Sequence, residues 1–235
     1  MRKSLQLSLT AVFAALHAVL YFVSFGLWRN WGIYLEAVEG IILGPKIGFL
    51  AALLGSSIAR SLKPDPFWMF GIVAEPLSVM MAGLLARAKW KPVLALYAIM
   101  LSAYFLHPYG RTLPIWTILD ILIALSISYP TARLSHDLFK TDVKRMSIAL
   151  VLVSFVCIAT DSLVRVFLLV PCGLYSIFPP LNTYDSLQMA FAGAAAYSYL
   201  EDAVAVLVSL IVGVPLLASV LKMKGFWQPE PVDNQ

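Results

Sequence analysis

The feature that most constrains this chain is a succession of apolar stretches, each near the length of a membrane-crossing helix, parted by short polar turns. They run over residues 5–27, 33–44, 46–62, 68–87, 92–107, 112–134, 147–170 and 197–221. About 20 apolar residues in a helix cover the ~30 Å hydrocarbon core of a bilayer. Hydrophobic residues make up 60% of the chain and charged residues 13%, against roughly 45–50% and about 25% in a soluble domain. These proportions exclude a disordered chain and a repeat solenoid with a solvated outer face. The expected fold is an all-α integral membrane protein, a bundle of six to eight transmembrane helices. It forms one domain over 1–224, followed by a flexible polar tail over 225–235 that carries two prolines. The first stretch follows Arg2 and Lys3 as a signal peptide does, but it is too long for one and lacks a convincing cleavage site.

The stretches at 33–44 and 46–62 are short, and Gly44-Pro45 lies between them. They are either one kinked helix or a helical hairpin. Charge decides between these, because cytoplasmic loops carry an excess of Lys and Arg. A hairpin gives eight segments. With the N-terminus inside, Arg2, Lys3, Lys46, Arg87, Lys89, Lys91, Arg133, Lys140, Lys144, Arg145, Lys222 and Lys224 are cytoplasmic, and only Arg29, Arg60, Lys63 and Arg111 are outside. A single kinked helix either reverses that bias or strands Lys46 in mid-membrane. An isolated charge there costs at least ~2.5–3.5 kcal/mol. The hairpin is therefore expected, in a multi-pass protein of the cell membrane with both termini cytoplasmic.

Ionisable side chains inside apolar segments are costly and mark function. On this topology Glu36, Glu39, Arg60, Glu75, Asp120, Asp161, Arg165, Glu201 and Asp202 all fall in the outer half of the membrane. At 1.5 Å per residue they lie within roughly 14 Å of the outer surface. The inner half of the spans has almost none. A channel or a complete proton relay needs polar lining through both halves, whereas a pocket that captures a solute from outside needs it in one. Glu36 and Glu39 share a helix face and call for a cation, a donor or a shared proton. Asp161 and Arg165, four apart, either neutralise one another or face the pocket. Of Glu201 and Asp202, pointing about 100° apart, one is expected to face the interior. Aromatic residues crowd the outer side and form an interfacial belt; Trp31, Tyr34 and Trp68 flank the acids and are the candidates for walls that stack a planar ligand. The long outer loop from Pro171 to Ala196 is a lid or a passive cover.

Other chemistries find little support. The net charge of +4 comes from clusters between apolar runs and implies no nucleic-acid partner. Cys157 and Cys172 are too few for a zinc site or a disulfide framework. There is no Walker A loop, no HExxH and no serine–histidine order, and His107 reads as an interfacial histidine. The expectation is a protein that is not an enzyme, with no catalytic residues, cofactor or metal.

The first segment carries Ala11/Ala15 and Ala14/Ala18, small residues four apart that let another helix approach closely. The second ends in Gly44-Pro45-Lys46-Ile47-Gly48 and leads directly into Phe49-Leu50-Ala51-Ala52-Leu53-Leu54-Gly55. In combination and order these resemble the substrate-binding subunit (S component) of an energy-coupling factor (ECF) transporter. The resemblance covers about residues 5–62, and the rest follows by hydropathy alone. Eight segments exceed the six helices usual in that family's core. The resemblance implies capture of a vitamin or related small polar molecule at the outer face. It implies docking, through Ala11 and Ala15 or Ala14 and Ala18, on a transmembrane coupling protein driven by two cytoplasmic ATPase subunits. The contrasting expectation is an ion- or proton-coupled carrier that uses the buried carboxylates and needs no ATPase.

Overall fold

The structure, a computed structural model, describes residues 3–23, 30–140 and 142–222. The expected tail at 225–235, and Trp28 and Arg29, lie outside the described residues. The described residues form an all-α bundle, with no strand among them. Its helices are α1 (Lys3–Tyr21), α2 (Glu36–Leu43), α3 (Pro45–Leu62), α4 (Trp68–Leu85), α5 (Trp90–Leu106), α6 (Leu119–Leu134), α7 (Val143–Leu169), α8 (Tyr184–Val208) and α9 (Val214–Lys222). Four helical stretches, Trp68–Leu85, Ile115–Phe139, Val143–Leu169 and Tyr184–Lys222, are long and apolar enough to cross a membrane. Gln6–Tyr21 and Trp90–Leu106 are shorter apolar helices. Large apolar side chains such as Leu7, Leu50, Leu54, Ile99, Leu106, Met189 and Ile211 point outward. A soluble monomer rarely carries so much exposed apolar surface, and a lipid-facing one needs it.

The chain breaks between α2 and α3 at Gly44, whose φ of 84° suits glycine and strains other residues. Pro45 then opens α3, where its missing N–H costs nothing. The sequence leads one to expect a hairpin of two spans; the turn is there, but α2 has eight residues and extends only about 12 Å. It cannot cross the bilayer.

Helix directions follow from the contacts. Along α2 and α4, Glu36 meets Ser78, Gly40 meets Val79 and Ala82, and Gly44 meets Gly83, so the two run parallel. Along α3 and α4, Gly48 meets Val79, Ser56 meets Glu75 and Arg60 meets Gly71, so those two run antiparallel. α1 runs parallel to α3, with His17 beside Gly55 and Tyr21 beside Lys63 and Asp65. The π-turn Ser209–Gly213 and α9 run parallel to α2, with Ser209 on Tyr34 and Gly213 on Val38. The bundle thus has a Gly44 end and an Arg60 end. α2 begins in the middle and descends to the Gly44 end.

α7 is the central post. It packs against α2, α4, α5, α6 and α8, and Val153, Val156, Ala159 and Val164 on it are fully buried. Asp142 caps its start by accepting from the N–H groups of Lys144 and Arg145. The loop expected over 171–196 is shorter than the sequence suggests, because α8 starts at Tyr184. A capping box between Thr183 and Ser186 opens α8 there, and Leu187, Phe191 and Ala195 form a buried stripe at four-residue spacing. Gln188 and Gly193 interrupt that stripe in the sequence and hide it from a hydropathy count.

Candidate functional site

Four helices, α1, α3, α4 and α7, bring polar side chains to one level near the Arg60 end. Counting from the helix ends nearest it, His17 is four residues in, Ser56 six, Glu75 seven and Asp161 eight, which is roughly 6–12 Å deep. The first turn of α2 supplies Glu36 and Glu39 at the same level. Glu75 is at the centre and is wholly buried. It pairs with Arg60, whose Nη1 lies 3.0 Å from Glu75 Oε2 and whose Nη2 contacts Oε1. Ser56 donates to Oε2, Asn30 donates to Oε1 across 3.4 Å, and Arg165 Nη2 stands 3.7 Å from Oε1. Arg165 in turn grips Asp161 with two bonds of 2.6 and 3.1 Å. Asp161 and Arg165 therefore pair with each other and also belong to the cluster.

Local structure makes room for these groups. Gly71 faces the Arg60 guanidinium so closely that any Cβ there would collide with it. The Arg60 side chain also lies 4.9 Å from the centre of the Tyr21 ring, within cation–π range. Gly55 allows His17 and the α1 backbone to press against α3. His17 then spans two carboxylates. Its Nδ1 is 3.3 Å from Glu39 Oε2, and its Nε2 is 3.0 Å from Glu75 Oε2 and 3.2 Å from Ser56 Oγ. Ser78 donates to Glu36 Oε2 and to the Glu75 carbonyl, and the Ser78 carbonyl accepts from the Cys157 thiol. Glu36 Oε1 and Glu39 Oε1 are buried and have no hydrogen-bond partner among the described residues.

Of the residues expected from sequence, Glu36, Glu39, Arg60, Glu75, Asp161 and Arg165 meet in this cluster. Trp31 and Tyr34 stand beside it, edge to face at 5.6 Å, packed with Ile33, Ile158 and Ala205. They fill an apolar wedge between α7 and α8, with Tyr34 buried at 1% exposure. Trp68 does not join: it is 47% exposed at the rim. Asp120 and Asp202 are buried near the Tyr97 and Tyr199 hydroxyls. Tyr97 bonds Thr160 at 3.0 Å, on the stripe of α7 next to the one bearing Cys157, Asp161 and Arg165. Glu201 is buried on α8 as well, so both acids of the Glu201–Asp202 pair are buried where the sequence leads one to expect a single one. Of the alanines of α1, Ala14 and Ala18 face into the bundle at 6% and 8% exposure. The Ala14 carbonyl packs on Gly55 of α3, so this pair, one of the two expected as a docking face, is turned into the bundle. Ala11 and Ala15 point outward.

His17, Ser56, Ser78 and Asn30 were not expected. His17 had a signal in the sequence: it is an ionisable residue near the outer end of an apolar segment, which is the same rule that selects the acids. The small residues around it signal helix packing instead. His17, Glu36 and Glu75 each place a potential ligand atom within 4.8 Å of the other two, and all three are buried. The sequence carries no metal motif because these residues come from three different helices.

No family model matches the chain, and no solved structure matches it. The uncharacterized protein MJ0923 of Methanocaldococcus jannaschii is similar, 31% identical over 167 residues, which is 68% of this chain and 56% of that protein. The chain thus spans little more than half the length of this relative.

Proposed function

We propose that this protein is the substrate-capture subunit of an ATP-driven ECF-type uptake transporter for a vitamin or related small polar molecule. The carrying observation is the buried polar cluster around Glu75, confined to the Arg60 end of the bundle and closed below by apolar packing. The start of a half-length helix lies at that cluster. Broken helices that begin in mid-membrane are a common means of presenting backbone N–H groups to a solute, and irregular backbone at such depth is tolerated when protein surrounds it. The clustering of Lys and Arg near the Gly44 end orients that end to the cytoplasm, with both termini there, and turns the Arg60 end outward. The outward-facing Ala11 and Ala15 offer a flat strip on α1 for a transmembrane coupling protein, itself driven by two cytoplasmic ATPases.

Native mass spectrometry of protein purified gently from its own host tests this reading. The expected spectrum contains the chain with a coupling protein, two ATPase subunits and a bound small molecule. Uptake by the purified chain alone in liposomes, driven by an ion gradient without ATP, overturns it. That second outcome belongs to an ion- or proton-coupled carrier, which the His17 bridge between Glu39 and Glu75 favours, because such a bridge is built to hold or pass a proton.

A further inference from the structure

The charges of the cluster do not balance among the described residues. Glu36, Glu39, Glu75 and Asp161 bring four carboxylates, while Arg60 and Arg165 bring two guanidiniums. Buried carboxylates without counter-charge are costly, so the site calls for further positive charge. The histidine says where that charge belongs. If His17 donates its Nδ1 proton to Glu39, its Nε2 lone pair points at Glu75 Oε2 from 3.0 Å. Two facing lone pairs at that distance repel unless a proton or a metal ion lies between them; a proton on His17 supplies one of the two missing positive charges, a divalent ion both. Glu36, which belongs to the same group of potential ligands, has a buried Oε1 without a hydrogen-bond partner among the described residues.

We infer that His17, Glu36 and Glu75 form a binding site for a divalent first-row transition-metal ion, with Glu39 orienting His17 from behind. A metal-bound histidine usually donates its other ring N–H to a carboxylate, and the Glu39–His17 pair has that form. Ligand atoms about 2.0–2.2 Å from a shared tetrahedral ion stand roughly 3.4 Å apart. His17 and Glu75 are already closer than that, and a Glu36 oxygen lies within 4.8 Å of both. One neutral imidazole with carboxylates selects zinc, manganese or iron over calcium, which prefers an all-oxygen shell. Two positive charges also cancel the two surplus carboxylates. Arg60 and Arg165 lie on the Oε1 side of Glu75 and neutralise it from there, and Arg60 Nη1 also reaches Oε2. Ser56 donates to the same oxygen, so the ion displaces both the Arg60 Nη1 and the Ser56 bonds to Oε2. The inference stands apart from the capture reading, since the site holds its ion in a protein of any transport class.

The test uses the full chain in detergent, stripped with chelator, loaded with Zn2+ and desalted, with the bound metal counted by mass spectrometry. About one zinc per chain is expected, with Ca2+ loading giving none. His17→Ala and Glu36→Gln should each lose it, and His136→Ala, on the surface, should keep it. Glu39→Gln should weaken zinc affinity by about 10–100-fold, as loss of a carboxylate behind a ligating histidine does. No zinc on well-dispersed wild-type protein overturns the inference. So does zinc that survives in both His17→Ala and Glu36→Gln, or that disappears in His136→Ala. Should the His17 and Glu36 variants fail to fold, the wild-type stoichiometry and the Glu39→Gln affinity decide alone. An uptake assay reports on the capture reading separately: uptake without zinc binding sinks the metal site only.

Discussion

The two ends of this bundle are held together by different physics. Near the Arg60 end, α1, α2, α3, α4 and α7 are tied by charge, through His17, Glu36, Ser56, Arg60, Glu75 and Asp161. Near the Gly44 end α2, α3 and α4 approach by shape. Gly40 lies on the Val79 carbonyl and Gly83 lies on the Gly44–Pro45 backbone, where a Cβ would come within 2.6 Å of Pro45 N. Ile41, Leu85, Val93 and Leu150 fill the remaining space and are fully buried. Lipid offers helices no hydrophobic reason to associate, so close packing and polar bonds must do it. A protein that needed only stability would use the cheaper device, small residues, throughout. The concentration of ionisable groups at one end therefore points to function there.

Four variants sharpen that contrast. Glu75→Gln removes the carboxylate shared by Arg60, Arg165, His17 and Ser56. Breaking a buried pair while leaving its partner charged costs about 3–5 kcal/mol, and denaturation in detergent should show a loss of that size. Gly83→Ala, at the other end, places a methyl against the Pro45 backbone; overpacking of this kind costs about 1–3 kcal/mol and is read in the same assay. Equal losses in salt-free and high-salt buffer are expected for both, since buried charges are little screened. Ser78→Ala removes one donor to Glu36 and should cost about 1 kcal/mol. Ala11→Leu with Ala15→Leu should leave stability within about 0.5 kcal/mol, as for surface sites generally. The same pair should abolish co-purification of a coupling protein. A large loss of stability from that pair would place Ala11 and Ala15 in the bundle and remove the docking surface.

Much of this architecture was legible in the sequence. The apolar stretches became helices, the Gly44-Pro45 break is a break, and six of the ionisable residues singled out by depth converge on one cluster. What escaped had physical reasons. A hydropathy run cannot distinguish a crossing helix from one that starts in the middle, and α2 is half-length because a 3-10 turn at Ile33–Leu35 precedes it. The start of α8 was masked by polar residues on its outward faces. His17 lies between Ala14 and Ala18, whose four-residue spacing signals packing and hides its polar role. Trp68 flanks the acids in the sequence, while in the fold it is 47% exposed at the rim.

The central claim is that the Glu75 cluster faces the outside and the Gly44 end faces the cytoplasm. Cysteine accessibility tests it most directly, in a background where the exposed Cys172 is replaced by serine. Asn30→Cys, beside Glu75, should react with a membrane-impermeant maleimide in intact cells. Lys144→Cys, exposed at the start of α7, should react only after the membrane is opened. Labelling of Lys144→Cys from outside, with Asn30→Cys protected until permeabilisation, would contradict the account.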